Sequence, residues 1–204
     1  MWRERRRGAP LGRKLAALII VLGVILSVSA LAVSYWIFSQ FITEYYSRLG
    51  TNLTRTMGSQ LDSEQLEHYF ESGEMDEDYM VIQRYIRDLT ECNDVIYLYV
   101  VRPHDKGVTF LFDSDMEITD TGDYLSGGYC ALGTYVEVAG GFAENLDKLL
   151  VGEPVEPIVQ EDPVYGWMMT AMTPVLHEDG AMAAYVMTDI SMQDVMNTRR
   201  DFLV

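Results

Sequence analysis

The stretch YGWMMTAMTPVLHEDGAMAAYVMTDISM, residues 165–192, decides the fold. Trp167 to Val175 and Ala181 to Thr188 are apolar runs of strand length, and between them His177-Glu178-Asp179-Gly180 supplies the polar, glycine-containing turn of a hairpin. At Asp189-Ile190-Ser191 the texture changes. Either Asp189 or Ser191 can accept hydrogen bonds from the free amides of a first helical turn, and Ser191 with Asp194 fits a capping box. Met192, Val195, Met196, Arg199, Phe202 and Leu203 then line one face of a closing helix.

Working back from the hairpin, residues 114–164 are irregular and glycine-rich, with one strand expected at Thr134 to Val138 and a short helix around Phe142 to Leu150. Before them, VIYLYVV (95–101) is β-branched and aromatic, as a strand buried on both faces should be. RPHDKG makes a turn, and VTFLFDSD returns as a second strand leaving at Asp113. Two helices precede the sheet. The first starts at Asp62 with Gln65 three residues on and stops at Ser72-Gly73; the second carries Tyr79, Ile82, Gln83, Ile86 and Leu89 and ends near Asn93-Asp94.

The N-terminal part has a different chemistry. Leu15 to Phe38 is 24 residues without a charge, enough for a helix to span a bilayer. Residues 1–14 hold Arg3, Arg5, Arg6, Arg7, Arg13 and Lys14 against Glu4, a net charge of +5. Such a surplus marks the cytoplasmic side, so the rest of the chain is expected outside. That remainder carries −21 of a total of −16, a sign that repels phosphate and excludes nucleic acid as a partner. Ala30-Leu31-Ala32 is compatible with signal-peptide cleavage, but the apolar run continues through Tyr35, Trp36 and Phe38, favouring an uncleaved anchor in the lipid bilayer. Phe38, Phe41, Ile42, Tyr45, Leu49, Leu53, Met57 and Leu61 then recur at helical spacing, so the span is expected to continue as an amphipathic helix.

Together these elements resemble the extracytoplasmic Cache sensors, or PAS-like PDC domains, of bacterial receptors. The residues carrying the resemblance are Tyr165, Gly166, Pro174, Val175, Gly180, Asp189, Ile190 and Ser191, in order and spacing, within a likeness covering 39–198. It implies an α+β fold in which an N-terminal transmembrane helix continues into a long helix packed on a five-stranded antiparallel sheet, with a small-ligand pocket on the other face. It also implies a homodimer, and signalling through terminal helices to a cytoplasmic output module. The expected organisation is a basic stub (1–14), a transmembrane helix (15–38), the sensor domain (39–198) and the approach to a second span (199–204).

Strand alternation puts Tyr97 and Tyr99 on one face and Ile96, Leu98 and Val100 on the other. The phenol side suits a pocket, since tyrosine offers apolar area with a polar tip. Tyr165, Trp167, Thr170 and Asp113 are further candidate ligand residues, and Arg87 is a candidate anchor for a carboxylate. Where amino-acid-binding relatives carry an Arg-x-Trp-Tyr motif, this chain has Arg84-Tyr85-Ile86-Arg87, so the preferred ligand is a small organic acid rather than an amino acid.

For the acidic clusters at Glu71, Glu74, Asp76, Glu77 and Asp78, and at Glu153, Glu156, Glu161 and Asp162, the resemblance to PDC-type kinases implies divalent cations or cationic peptides as an alternative stimulus, oxygen ligands suiting such hard cations. A purely structural or assembly role is the other alternative. Cys92 and Cys130 could pair in an oxidising compartment. His68, His104 and His177 lack metal-ligand spacing, and no catalytic or cofactor motif is present, so neither an enzyme nor a cofactor is expected.

Overall fold

The structure is a computed structural model that describes residues 11–116, 130–163, 165–193 and 195. The chain divides into two units at Thr43/Glu44. Helix α1 (Leu11–Gly58) supplies the described part of the first unit, where most of its apolar side chains are exposed; among the described residues it is the one helix long and apolar enough to cross a membrane. From Glu44 onward the same helix belongs to the second unit, and there Gly50, Leu53, Thr54 and Met57 are buried. The apolar stripe is thus buried only toward its C-terminal end, since Phe38, Phe41 and Tyr45 remain exposed.

Two helices follow. α2 (Ser63–Ser72) begins at Asp62, whose side chain accepts from the amides of Glu64 and Gln65, and α3 (Glu77–Cys92) begins at Asp76, which accepts from Tyr79. Part of the first acidic cluster therefore has a structural cause: Asp76 is a cap, and Glu77 and Asp78 lie in a first turn, where negative charge complements the helix dipole. Cys92 and Cys130 are both free thiols, so the pairing considered for them is absent.

The sheet is antiparallel with six strands in the order β3-β2-β1-β6-β5-β4. They are β1 (Tyr97–His104), β2 (Gly107–Asp113), β3 (Tyr135–Glu137), β4 (Ile158–Asp162), β5 (Gly166–Leu176) and β6 (Met182–Ser191). The strand beyond the expected five is β4, an edge strand that pairs only with β5. Its sequence, IVQED, has no clean alternation of apolar and polar residues to mark it. β1 also runs further than expected, through Pro103. Its ladder with β6 ends at Val101, so the missing amide of proline interrupts nothing on that side. The helix expected over Phe142 to Leu150 is two short ones, α4 (Gly141–Glu144) and α5 (Leu146–Leu150), separated at Asn145.

The four inner strands, β1, β2, β5 and β6, divide their side chains between two cores. On one face Leu98, Val100, Leu111, Phe112, Val175, Ala184 and Val186 pack with Leu53, Met57, Leu66, Tyr69, Tyr79 and Ile86 of the three helices. On the other, Val101, Val108, Met172, Tyr185 and Met187 gather with Leu149 and Val155. The first face is covered by long helices. Among the described residues the second is covered by short segments, and the cavity lies there.

Candidate functional site

The centre of the open face is a cross-strand row. Tyr99 of β1 stands opposite Asp113 of β2 on one side and Met187 of β6 on the other, while Tyr97 faces Asp189, which in turn faces Thr170 of β5. Tyr97, Tyr99, Asp113 and Thr170 are thus brought to one face. For Asp113 this depends on a bulge: Val100 pairs with Phe112 and Val101 with Phe110, leaving Leu111 without an opposite residue. Leu111 and Phe112 both enter the helix-side core, so Phe110 and Asp113 share the open face despite their odd separation.

The sequence offers Asp189 as one of two candidate helix caps, and the structure gives it another place. It does not cap a helix. It lies inside β6, 8% exposed, accepting from Thr170 Oγ1 at 2.5 Å and from the Tyr99 hydroxyl at 3.4 Å. Burial disfavours its charge and pushes its pKa up to about 6, against the opposing pull of those two donors. Asp113 is also raised by burial, although its two oxygens accept from the amides of Asp115 and Cys130. Tyr99 is held well above the usual phenol range, first by burial and then by the charge of Asp189. Ser191 keeps a turn role, its hydroxyl accepting weakly from Gln193 at 3.4 Å. Asp194 and the helix expected beyond Val195 lie outside the described residues.

Tyr99 lines a cavity of about 560 Å³ whose floor is Val108, Phe110 and Met187. The rings of Tyr99 and Phe110 lie side by side, 5.4 Å between centroids. One wall is the segment from Val136 to Phe142, which leaves β3; the other is Gln160 to Pro163, at the end of β4. β3 and β4 are the two outer strands of the sheet, yet both border this one cavity, so the sheet curls around it. Gly141 makes the closure possible: its amide donates to Gln160 Oε1 at 3.2 Å, and a Cβ there would fall 2.5 Å from Ile158 Cγ2.

The remaining candidates separate. Tyr165 packs edge-on against Tyr97, 5.4 Å between ring centroids, and lines an adjoining open hollow with Glu161, Asp162, Gly166 and Gln193. Its hydrogen bond to Tyr97, together with burial, raises the Tyr97 pKa. Trp167 alternates with Met169 and Ala171, which puts it on the helix-covered face, one residue out of phase with Thr170. Arg87 lies on the exposed side of α3, a helix that packs on the helix-covered face, and does not border the cavity. The sequence reading had no signal for Phe142 and Gln160, because their position depends on the approach of the two sheet edges. Met187 was findable in principle, being two residues before Asp189 on the same side of β6.

No family model matches the sequence, and no curated protein matches it. Among solved structures, the sensory domain of the Campylobacter jejuni chemoreceptor Tlp3 (CcmL) is similar, at 12% identity and a TM-score of 0.45, over 80% of this chain and 60% of that one. The ligand-binding domain of the same chemoreceptor in complex with L-valine, and its sensory domain with isoleucine bound, are similar at 11% identity and a TM-score of 0.44, each over 93% of this chain and 67% of its own. Likeness at this level carries no argument about site or ligand.

Proposed function

We propose that this chain is a membrane-anchored extracytoplasmic sensor that binds a small molecule in the cavity of the open sheet face and passes its occupancy to α1. One observation carries the reading: β5 and β6 contribute to the open face through Thr170, Asp189 and Met187, while their alternate residues Ala171, Thr188 and Ile190 crowd α1 at Gly50. A change in strand position on the open side is thus felt directly by the helix that carries the apolar span. A ligand can shift such an element only by binding its two positions with different affinity. The output module and the second span implied by the resemblance to Cache sensors belong to this proposal, as does dimerisation.

The test is a thermal-shift screen of the full chain in zwitterionic lipid nanodiscs against small organic acids, amines and neutral metabolite-sized compounds. A concentration-dependent rise in melting temperature is expected for at least one class, lost when Phe142 is replaced by Ala at the wall of the cavity. Silence from every class at millimolar concentration would overturn the sensor reading and leave a structural role for the domain.

A further inference from the structure

We infer that the cavity takes a small organic cation, an ammonium group carried on an apolar or aromatic body. This rests on the reading of the cavity as a ligand site. The floor supplies the apolar half of the recognition: Val108, Phe110 and Met187, with the Tyr99 ring beside that of Phe110. Aromatic ring faces attract cations as well as apolar groups.

The charges are one-sided. Among the described lining residues Glu137, Glu161 and Asp162 are acidic, and there is no lysine, arginine or histidine. These carboxylates come from opposite edges of the sheet, Glu137 from β3 and Glu161 and Asp162 from β4. Curling of the sheet therefore brings like charges toward a single mouth, an arrangement that a bound cation relieves and a bound anion aggravates. Behind the floor the Tyr99 hydroxyl donates to Asp189, so a fourth carboxylate stands one hydrogen bond from the cavity and adds to the same field. An organic acid, the ligand preferred from sequence, would meet this set with no basic side chain among the described lining residues to receive it; Arg87 does not border the cavity.

Three probes of similar shape separate charge from apolar fit: phenethylamine, 2-phenylethanol and phenylacetate. Each is titrated calorimetrically into the full chain in zwitterionic nanodiscs at pH 7.5, with empty nanodiscs as reference. The expected order is amine, alcohol, carboxylate, with the amine at least about tenfold tighter than the alcohol, a gap weakened by raising the salt from 50 to 500 mM. Glu137→Gln combined with Glu161→Gln changes two exposed rim residues, which leaves the core intact. It should weaken the amine about fivefold and leave the alcohol unchanged.

Phenylacetate binding as tightly as the amine, or an amine affinity indifferent to both salt and the double substitution, would overturn the inference. Absence of binding by all three probes would overturn it too. The sensor reading survives either result if the broader screen yields a neutral or anionic ligand, so the two failures are distinguishable.

Discussion

The two faces of the sheet are built from the same strands and follow different rules. On the helix-covered face Tyr69, Tyr79 and Phe112 form a compact aromatic group, with ring centroids 4.4 to 6.0 Å apart and all three side chains fully buried. Their polar atoms are accounted for: the Tyr79 hydroxyl donates to the carbonyl of Leu111 at 2.7 Å and that of Tyr69 to Asp76 at 3.1 Å. The open face instead keeps a cavity and holds two carboxylates, Asp113 and Asp189, where burial disfavours their charge. One face maximises contact. The other gives up contact and solvation, which is the expected signature of a surface kept for something other than stability.

Phe112 and Phe110 test that contrast within a single strand. Phe112→Ala removes a fully buried ring stacked 4.4 Å from Tyr79 and should cost about 3–5 kcal/mol in denaturant unfolding. Phe110→Ala removes a half-buried ring beside an existing void and should cost about 1–2 kcal/mol, while abolishing whatever the cavity binds. Equal losses for the two would mean that the open face is packed as tightly as the other, and the comparison would fail.

The carboxylates sharpen it further, because the faces shift them in opposite directions. On the helix side, Arg102 holds Glu67 in a bidentate pair and lowers its pKa, so Glu67 contributes stability that is present above its unfolded pKa and lost as the pH falls. Asp189 is raised from 3.8 to about 6, so the folded state binds its proton more tightly than the unfolded chain does. Its contribution to stability is therefore greatest in acid and declines as the pH rises from about 4 through about 6, a loss of up to ~3 kcal/mol. Asp189→Asn keeps an acceptor for Thr170 and cannot ionise. Chemical unfolding at pH 7.5 should find the variant more stable by up to ~3 kcal/mol, with the gain vanishing near pH 4. A loss of the same size at both pH values would show that the carboxylate is stabilising and that the open face has no stored cost. Cation affinity should move the other way, rising through pH 6 as Asp189 ionises. Asp113, Asp162 and the phenols of Tyr97 and Tyr99 share its surroundings, so Asp189→Asn is the control that assigns the step.

These pairs also explain how much of the molecule could be read in its sequence. The hairpin, the strand pair before it, the caps at Asp62 and the stripe of α3 were legible because each is written in residues a few positions apart. What failed depended on a neighbour distant in the chain. Asp189 looked like a cap because its partners, Thr170 and Tyr99, lie 19 and 90 positions away. Trp167 and Thr170, three positions apart, take opposite faces of β5, and the ladder to β6 decides which of them reaches the open one. β4 was invisible because its reason for being a strand is the edge of β5 beside it, rather than any pattern in IVQED. The acidic rim was seen as two sequence clusters; only the curl of the sheet shows which members of the second one face Glu137.

The smallest expected effect concerns the seam by which the covered face meets α1. Gly50 is buried, and a Cβ built on it would lie 2.7 Å from Ala171 Cβ, closer than real Cβ atoms approach, and 3.2 Å from Ile190 Cδ1, tighter than most such contacts. Helix propensity alone would reward Gly50→Ala by about 1 kcal/mol. The close approach should outweigh that gain, because Ala171 is fixed in the middle of β5 and cannot swing aside, leaving a net loss of about 1–2 kcal/mol. Ala171→Gly removes the atom that is struck, so the double variant should recover most of the loss, giving a coupling of about 1 kcal/mol in a double-mutant cycle. Additive single effects would mean that α1 is free to shift away from β5 at no cost. In that case occupancy of the cavity would have no tight contact through which to move the helix, and the route from ligand to span would have to run elsewhere in the covered face.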